Sequence, residues 1–90
     1  MNRINLNQLY YFYVIAKEGS IKSACEKLHL TQPTLSGQLK KLEDFIGGPL
    51  FERKYRKLQI NSLGEKVLKK AEKIFVLSDE LVNSLNNSSL

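Results

Sequence analysis

The run Leu28-His29-Leu30-Thr31-Gln32-Pro33-Thr34-Leu35-Ser36 constrains the fold most, because one helix must stop and another start inside it. Upstream, Ser20 can cap a short helix over Ile21–Leu28, with Ile21, Ala24, Cys25 and Leu28 facing inward. Downstream, the Thr31 hydroxyl caps the next helix, and Pro33 falls in its first turn, where a missing N–H costs nothing. Leu35, Leu39, Leu42 and Ile46 recur at spacings of four, three and four, so this face is buried in a helix that runs to about Phe45. The opposite face carries Pro33, Gly37, Lys40, Lys41 and Asp44, with Thr34 and Ser36 on its flanks. Leu30 should plug the core under the turn. Two helices joined so tightly make a helix-turn-helix, which holds its second helix up and outward.

The flanking segments complete a small domain around this unit. Asn5 can cap a first helix from Leu6 to about Lys17, with Leu6, Leu9, Phe12, Tyr13 and Ala16 along one face and Gly19 ending it. Gly47-Gly48-Pro49 cannot continue the third helix. Leu50 to Ile60 then reads as two short strands around a turn near Tyr55 and Arg56, although no Asn-Gly type turn marks it. Ser62-Leu63-Gly64-Glu65 has the form of a capping box and opens a last helix to about Leu85.

That last helix carries two seven-residue series, Val67, Ile74, Leu81 and Ala71, Ser78, Leu85, widened by Leu68, Phe75 and Val82. At about 24 residues it spans roughly 36 Å, more than so small a domain can cover. Its outer half should pair with a second copy of the chain; the alternative is a terminal helix folded back on its own domain. The expected architecture is mainly α: residues 1–61 form a three-helix core plus a β-hairpin, which the family resemblance given below implies is a winged helix-turn-helix. Residues 62–90 form a long linker and dimerisation helix with a frayed polar tail at Asn86-Asn87-Ser88-Ser89.

Composition narrows the partners. The net charge is +5, and the excess is uneven: four basic residues against two acids precede Lys40, and ten against five lie between Lys40 and Lys73. A basic stretch centred on the third helix and the hairpin favours a polyanion, nucleic acid ahead of an anionic membrane surface. The single cysteine, Cys25, excludes a disulfide framework within the chain and fits a reducing compartment. No apolar run approaches membrane-spanning length and no signal-peptide pattern opens the chain, so a cytoplasmic location is expected.

Taken together, these residues resemble the DNA-binding domain of LysR-type transcriptional regulators. The resemblance rests on Leu6-x-x-Leu9-x-x-Phe12, Ala16-x-x-Gly19-Ser20-Ile21, Ala24-x-x-x-Leu28, Thr31-Gln32-Pro33-Thr34-Leu35-Ser36, Leu42-Glu43, Gly47-x-Pro49-Leu50-Phe51-Glu52-Arg53 and Leu63-Gly64. It covers nearly the whole chain. It implies a winged helix-turn-helix, a long helix pairing two subunits, and a C-terminal effector-binding domain. That domain is absent here, so the chain looks like an N-terminal fragment or a truncated form. Tyr10-Tyr11-Phe12, Lys17-Glu18-Gly19-Ser20 and Thr34-Leu35-Ser36-Gly37-Gln38 look closest to the branch that regulates sodium/proton antiporters. One departure stands out: Gly37 occupies a position where most of the family carries arginine. Either it is tolerated drift, or it lets the helix backbone approach the groove while Gln32, Thr34 and Lys40 take over base reading.

On this reading, Gln32 lies at the helix end that points toward base edges, and its amide can pair bidentately with adenine. Pro33 and Thr34 can pack against thymine methyls. Ser20, Thr31 and Ser36 suit phosphate oxygens, capping being the simpler role for the first two. The resemblance aligns Arg56 with the wing arginine that enters the minor groove. Arg53 is either a further contact or a structural bridge to Glu43 or Glu52. Lys40, Lys54 and Lys57 read as phosphate neutralisers, and Lys66, Lys69, Lys70 and Lys73 as a solvated helix face. The expected dimer surface is Val67, Ala71, Ile74, Phe75, Ser78, Leu81 and Leu85. Cys25 should be a buried, inert thiol. His29 has no second ligand nearby, and no metal or other cofactor is implied. Tyr10, Tyr11, Phe12 and Tyr13 could stack on bases but sit at packing spacing. A sequence-specific duplex-DNA binder acting as a homodimer is the leading expectation. Its rival is a helix-mediated protein-interaction module with an incidental basic face. No nucleophile–base set or phosphate-cradling loop supports an enzyme.

Overall fold

The computed structural model describes residues 2–55 and 57–87. Its elements are α1 (Leu6–Glu18), α2 (Ile21–Leu28), α3 (Gln32–Ile46), β1 (Phe51–Lys54), β2 (Lys57–Ile60) and α4 (Ser62–Asn87). This is the winged helix-turn-helix with a long C-terminal helix that the sequence leads one to expect; Asn86 and Asn87, expected in a frayed tail, continue α4, and Ser88 and Ser89 lie outside the described residues.

Three of the four helix starts use the anticipated caps. Asn5 Oδ1 accepts the Gln8 N–H at 3.0 Å, Ser20 Oγ accepts the Ser23 N–H at 3.0 Å, and Thr31 Oγ1 accepts the Thr34 N–H at 3.3 Å. The fourth differs. Asn61, one residue before the expected Ser62, caps α4: its Oδ1 accepts the Gly64 N–H at 2.7 Å. Asn61 wins because its amide also reaches back, donating from Nδ2 to the Pro49 carbonyl at 2.7 Å, while its own N–H donates to the Leu50 carbonyl at 3.1 Å. One side chain thus ties the base of the hairpin to the start of α4. At the end of α2, His29 takes the left-handed conformation at φ 57°, and its N–H closes on the Cys25 carbonyl.

The core is built from Leu9, Phe12, Val14 and Ile15 of α1, Ala24 of α2, Leu35, Leu39 and Leu42 of α3, Leu50, and Ala71 of α4. Two expectations fail here. Leu6 is 55% exposed, whereas Val14 and Ile15, absent from the anticipated inward face, are buried. The reason is that α1 packs against α2, α3 and α4 together, so more than one of its faces is covered. Cys25 is half-buried rather than fully enclosed.

The hairpin is antiparallel, with Phe51 opposite Ile60 and Lys54 opposite Lys57. Phe51 packs its ring 5.4 Å from that of Phe12, which anchors the wing to α1. Tyr55 takes a positive φ of 53° in the turn, a conformation ordinarily given to Asn or Gly. The first half of α4 belongs to the core of the same domain: Gly64 and Ala71 are buried, and Val67, Leu68, Ile74 and Phe75 pack against it. Beyond Phe75, α4 leaves the domain, with Leu77, Leu81, Val82 and Leu85 all more than half exposed.

Candidate nucleic-acid interface

The outward face of α3 is where the heptad-like burial of Leu35, Leu39 and Leu42 requires it to be. Gln32, Pro33, Thr34, Gly37, Lys40, Lys41 and Asp44 are all exposed, and Ser36 is half-buried at the edge. At the helix start the Thr31 hydroxyl donates to Thr34 Oγ1 at 2.9 Å while its oxygen caps the Thr34 N–H. Lys40 leans toward the C-terminal end of the helix, where its Nζ pairs with Asp44 Oδ1 at 2.9 Å. Hydrogen bonding to Asp44, and then its charge, raise the Lys40 ammonium above its ordinary value of 10.5.

Folding brings α2, α3 and the hairpin to one open cleft. Gly19, Ser20, Ile21 and Lys22 line it from the start of α2, Gln32 from α3, and Arg53, Lys57, Leu58 and Gln59 from the hairpin. Ser20, Gln32 and Arg53, up to 33 positions apart in sequence, thus share a concavity with Lys22 and Lys57 on its walls. Such a surface offers an anion an amide, a hydroxyl and three cations. The Ser20 cap uses a lone pair on Oγ, and a hydroxyl still has a proton to donate, as a phosphate oxygen requires. Arg53 bridges neither expected acid. Glu43 Oε2 instead accepts the Leu50 N–H at 2.8 Å, and Glu52 lies 3.8 Å from Lys54. Arg56 lies outside the described residues.

Three positioning contacts escaped the sequence reading. Gln8 Nε2 donates to Gln38 Oε1 at 3.1 Å, joining α1 to the flank of α3. Glu43 fixes the chain leaving α3 to the first residue before β1. Lys22 enters the cleft beside Ser20. The Gln8–Gln38 pair spans 30 positions with no local periodicity to announce it. Lys22 carried a weak signal, a basic residue one place inside a capped helix start.

The expected dimer residues split into two groups. Ala71 is enclosed by the domain's own core, and Val67, Ile74 and Phe75 pack against it, Phe75 edge-on to Tyr10 at 5.2 Å and tilted on Tyr13 at 5.2 Å. Ser78, Leu81 and Leu85 are exposed. The aromatic residues of α1 thus serve packing: Phe12 is in the core, Tyr11 and Tyr13 pack against it, and Tyr10 meets α4. Lys66, Lys69, Lys70 and Lys73 are exposed, as anticipated. Among the described residues, no group of His, Cys, Asp and Glu is arranged to hold a metal ion, and no helix is long and apolar enough to cross a membrane.

Comparison with known proteins places this geometry. NhaR, a transcriptional activator protein of Escherichia coli, is 46% identical over 86 residues, covering 96% of this chain and 29% of NhaR. The chain therefore spans less than a third of that relative's length. Among solved structures, the BenM DNA-binding domain in complex with catB site 1 DNA superposes with a TM-score of 0.84 at 31% identity, covering 92% of this chain and 93% of that one. The CbnR DNA-binding domain in complex with DNA gives a TM-score of 0.81 at 28% identity, covering 96% and 99%. The profile of the lysR family of bacterial regulatory helix-turn-helix proteins matches residues 6–65. This chain belongs to the LysR family of bacterial helix-turn-helix regulators.

Proposed function

We propose that this chain binds duplex DNA sequence-specifically as a homodimer, as part of a cytoplasmic transcriptional regulator. The α3 face enters the major groove and the hairpin approaches the neighbouring minor groove. The observation that carries this reading is the cleft in which Ser20, Lys22, Gln32, Arg53 and Lys57 converge beside the exposed face of α3. Gln32 reads a base edge. Pro33 and Thr34 meet apolar base groups. Ser20, Thr31, Ser36, Lys40 and Lys54 meet phosphates, with Lys40 and Lys54 exchanging their exposed carboxylate partners for them. Arg53 acts from the cleft, and the family resemblance assigns Arg56 to the minor groove.

Dimerisation falls to the outer half of α4. Ser78, Leu81, Val82 and Leu85 continue the stripe that Val67, Ala71 and Ile74 begin on the domain, but past the point where the domain can cover it. Fluorescence anisotropy on random-pool duplex DNA over a salt series tests the reading. Binding should be micromolar or tighter at low salt, fall steeply as salt rises, and weaken in the Gln32→Ala/Arg56→Ala variant. No binding by the folded chain at low salt overturns it and leaves α4 as the functional surface.

A further inference from the structure

One glycine has no explanation inside the chain. Gly19 and Gly47 adopt positive φ, where a side chain is strained. A Cβ on Gly64 would strike the Leu50 carbonyl, and one on Gly48 would press on Leu63 at 3.3 Å. Gly37 has none of these reasons. It lies inside α3 with ordinary helical φ, and a Cβ there would meet nothing within 4 Å. A glycine in a helix interior costs roughly 1 kcal/mol against alanine, so the folded chain gains nothing from keeping it bare. Whatever profits from the missing side chain lies outside the molecule, against the exposed face of α3.

The surroundings define what fits there. Pro33 and Thr34 stand one helical turn before Gly37, and Lys40 and Lys41 one turn after. Thr34 has its Oγ1 engaged by the Thr31 hydroxyl, which leaves the γ-methyl as its other substituent. Lys40 is drawn toward Asp44, away from Gly37. The helix backbone at Gly37 is therefore uncovered, with Pro33 and Thr34 on one side and the two lysines on the other.

Resting on the DNA-binding reading above, we propose that Gly37 is a specificity-determining residue whose bare backbone admits the C5-methyl of a thymine in the major groove. Thymine is the base that presents a methyl group there. The close approach also draws the flanking Lys40 and Lys41 toward the phosphates.

The test uses a duplex site selected by the wild-type chain, with melting and affinity measured for wild type and Gly37→Ala. The variant should melt higher, yet bind the selected site roughly tenfold more weakly, as overpacking a close contact does. Its affinity for an unrelated duplex should fall by less than its affinity for the selected site. Replacing each thymine in turn by deoxyuridine, which deletes the methyl alone, should weaken wild-type binding about fourfold at one position per half-site. The same replacement should leave Gly37→Ala indifferent. Equal affinity of Gly37→Ala for the selected site, or no deoxyuridine effect at any thymine, overturns the assignment while leaving DNA binding intact. A wild-type chain that enriches no sequence overturns the DNA-binding reading itself, and the assignment with it.

Discussion

Gly64→Ala should destabilise the domain, although the same change in an open helix is favourable. The added Cβ would fall on the Leu50 carbonyl oxygen and within 2.6 Å of Ile60 Cγ1. Carbon contacts settle at about 3.5–4.0 Å, so both groups must retreat by about an ångström. Neither is at the end of a flexible chain. The Leu50 carbonyl accepts the Asn61 N–H at 3.1 Å, and Ile60 ends β2, paired with Phe51. Overpacking of this kind costs roughly 1–3 kcal/mol, and weakening a buried backbone bond adds about 1 kcal/mol. The better helix propensity of alanine returns at most about 1 kcal/mol. The net loss is about 2 kcal/mol, or a fall of roughly 8–16 °C in melting temperature for a domain of this size. Thermal unfolding followed by circular dichroism measures it, with Gly37→Ala as the matched control expected to rise by roughly 4–8 °C. A Gly64→Ala protein that melts at or above the wild type refutes the close approach of the wing to α4.

Other consequences follow from single contacts. Asn61→Ala should cost about 1–2 kcal/mol in urea unfolding because it removes both a cap and the tie to Pro49, whereas Ser62→Ala should stay within about 0.5 kcal/mol. His29→Val should cost about 1–2 kcal/mol by forcing a β-branched residue into the left-handed region, and His29→Gly should be tolerated. Lys17 is raised above its ordinary 10.5, first by its hydrogen bond to Glu72 and then by that residue's charge. A raised folded value means its contribution is complete below the unfolded value and is lost only as pH climbs through the folded one. The urea midpoints of Lys17→Met and wild type should therefore differ by a constant amount from about pH 6 to 9 and converge at more alkaline pH. Lys40→Met should lower the salt slope of DNA binding by about one, as loss of one phosphate contact does.

Local physics made most of the helical scaffold readable in advance. Caps at Asn5, Ser20 and Thr31, the spacing of Leu35, Leu39 and Leu42, and the Gly47-Gly48-Pro49 stop each depend on neighbours a few residues away. What escaped depends on tertiary placement. Asn61 outcompetes Ser62 only because Pro49 and Leu50 come within its reach, and Val14 is buried only because α1 is covered on several sides. The candidate site divides the same way. The α3 face was legible from periodicity, but the convergence of Ser20, Lys22, Gln32 and Arg53 required the hairpin to return beside α2. The heptad stripe on α4 was visible as one continuous pattern, and periodicity could not say that Ala71 would be used within the chain while Leu81 would not.

Methylation interference on a selected duplex tests the central claim most directly, since dimethyl sulfate marks guanine N7 in the major groove. The account predicts two clusters of interfering guanines on one face of the duplex, separated by a whole number of helical turns of about 10.5 base pairs. Each cluster marks one copy of α3. At a selected site that carries guanines in both half-sites, tight binding with no guanine N7 interference would contradict major-groove reading by α3, and a single cluster would contradict the dimer.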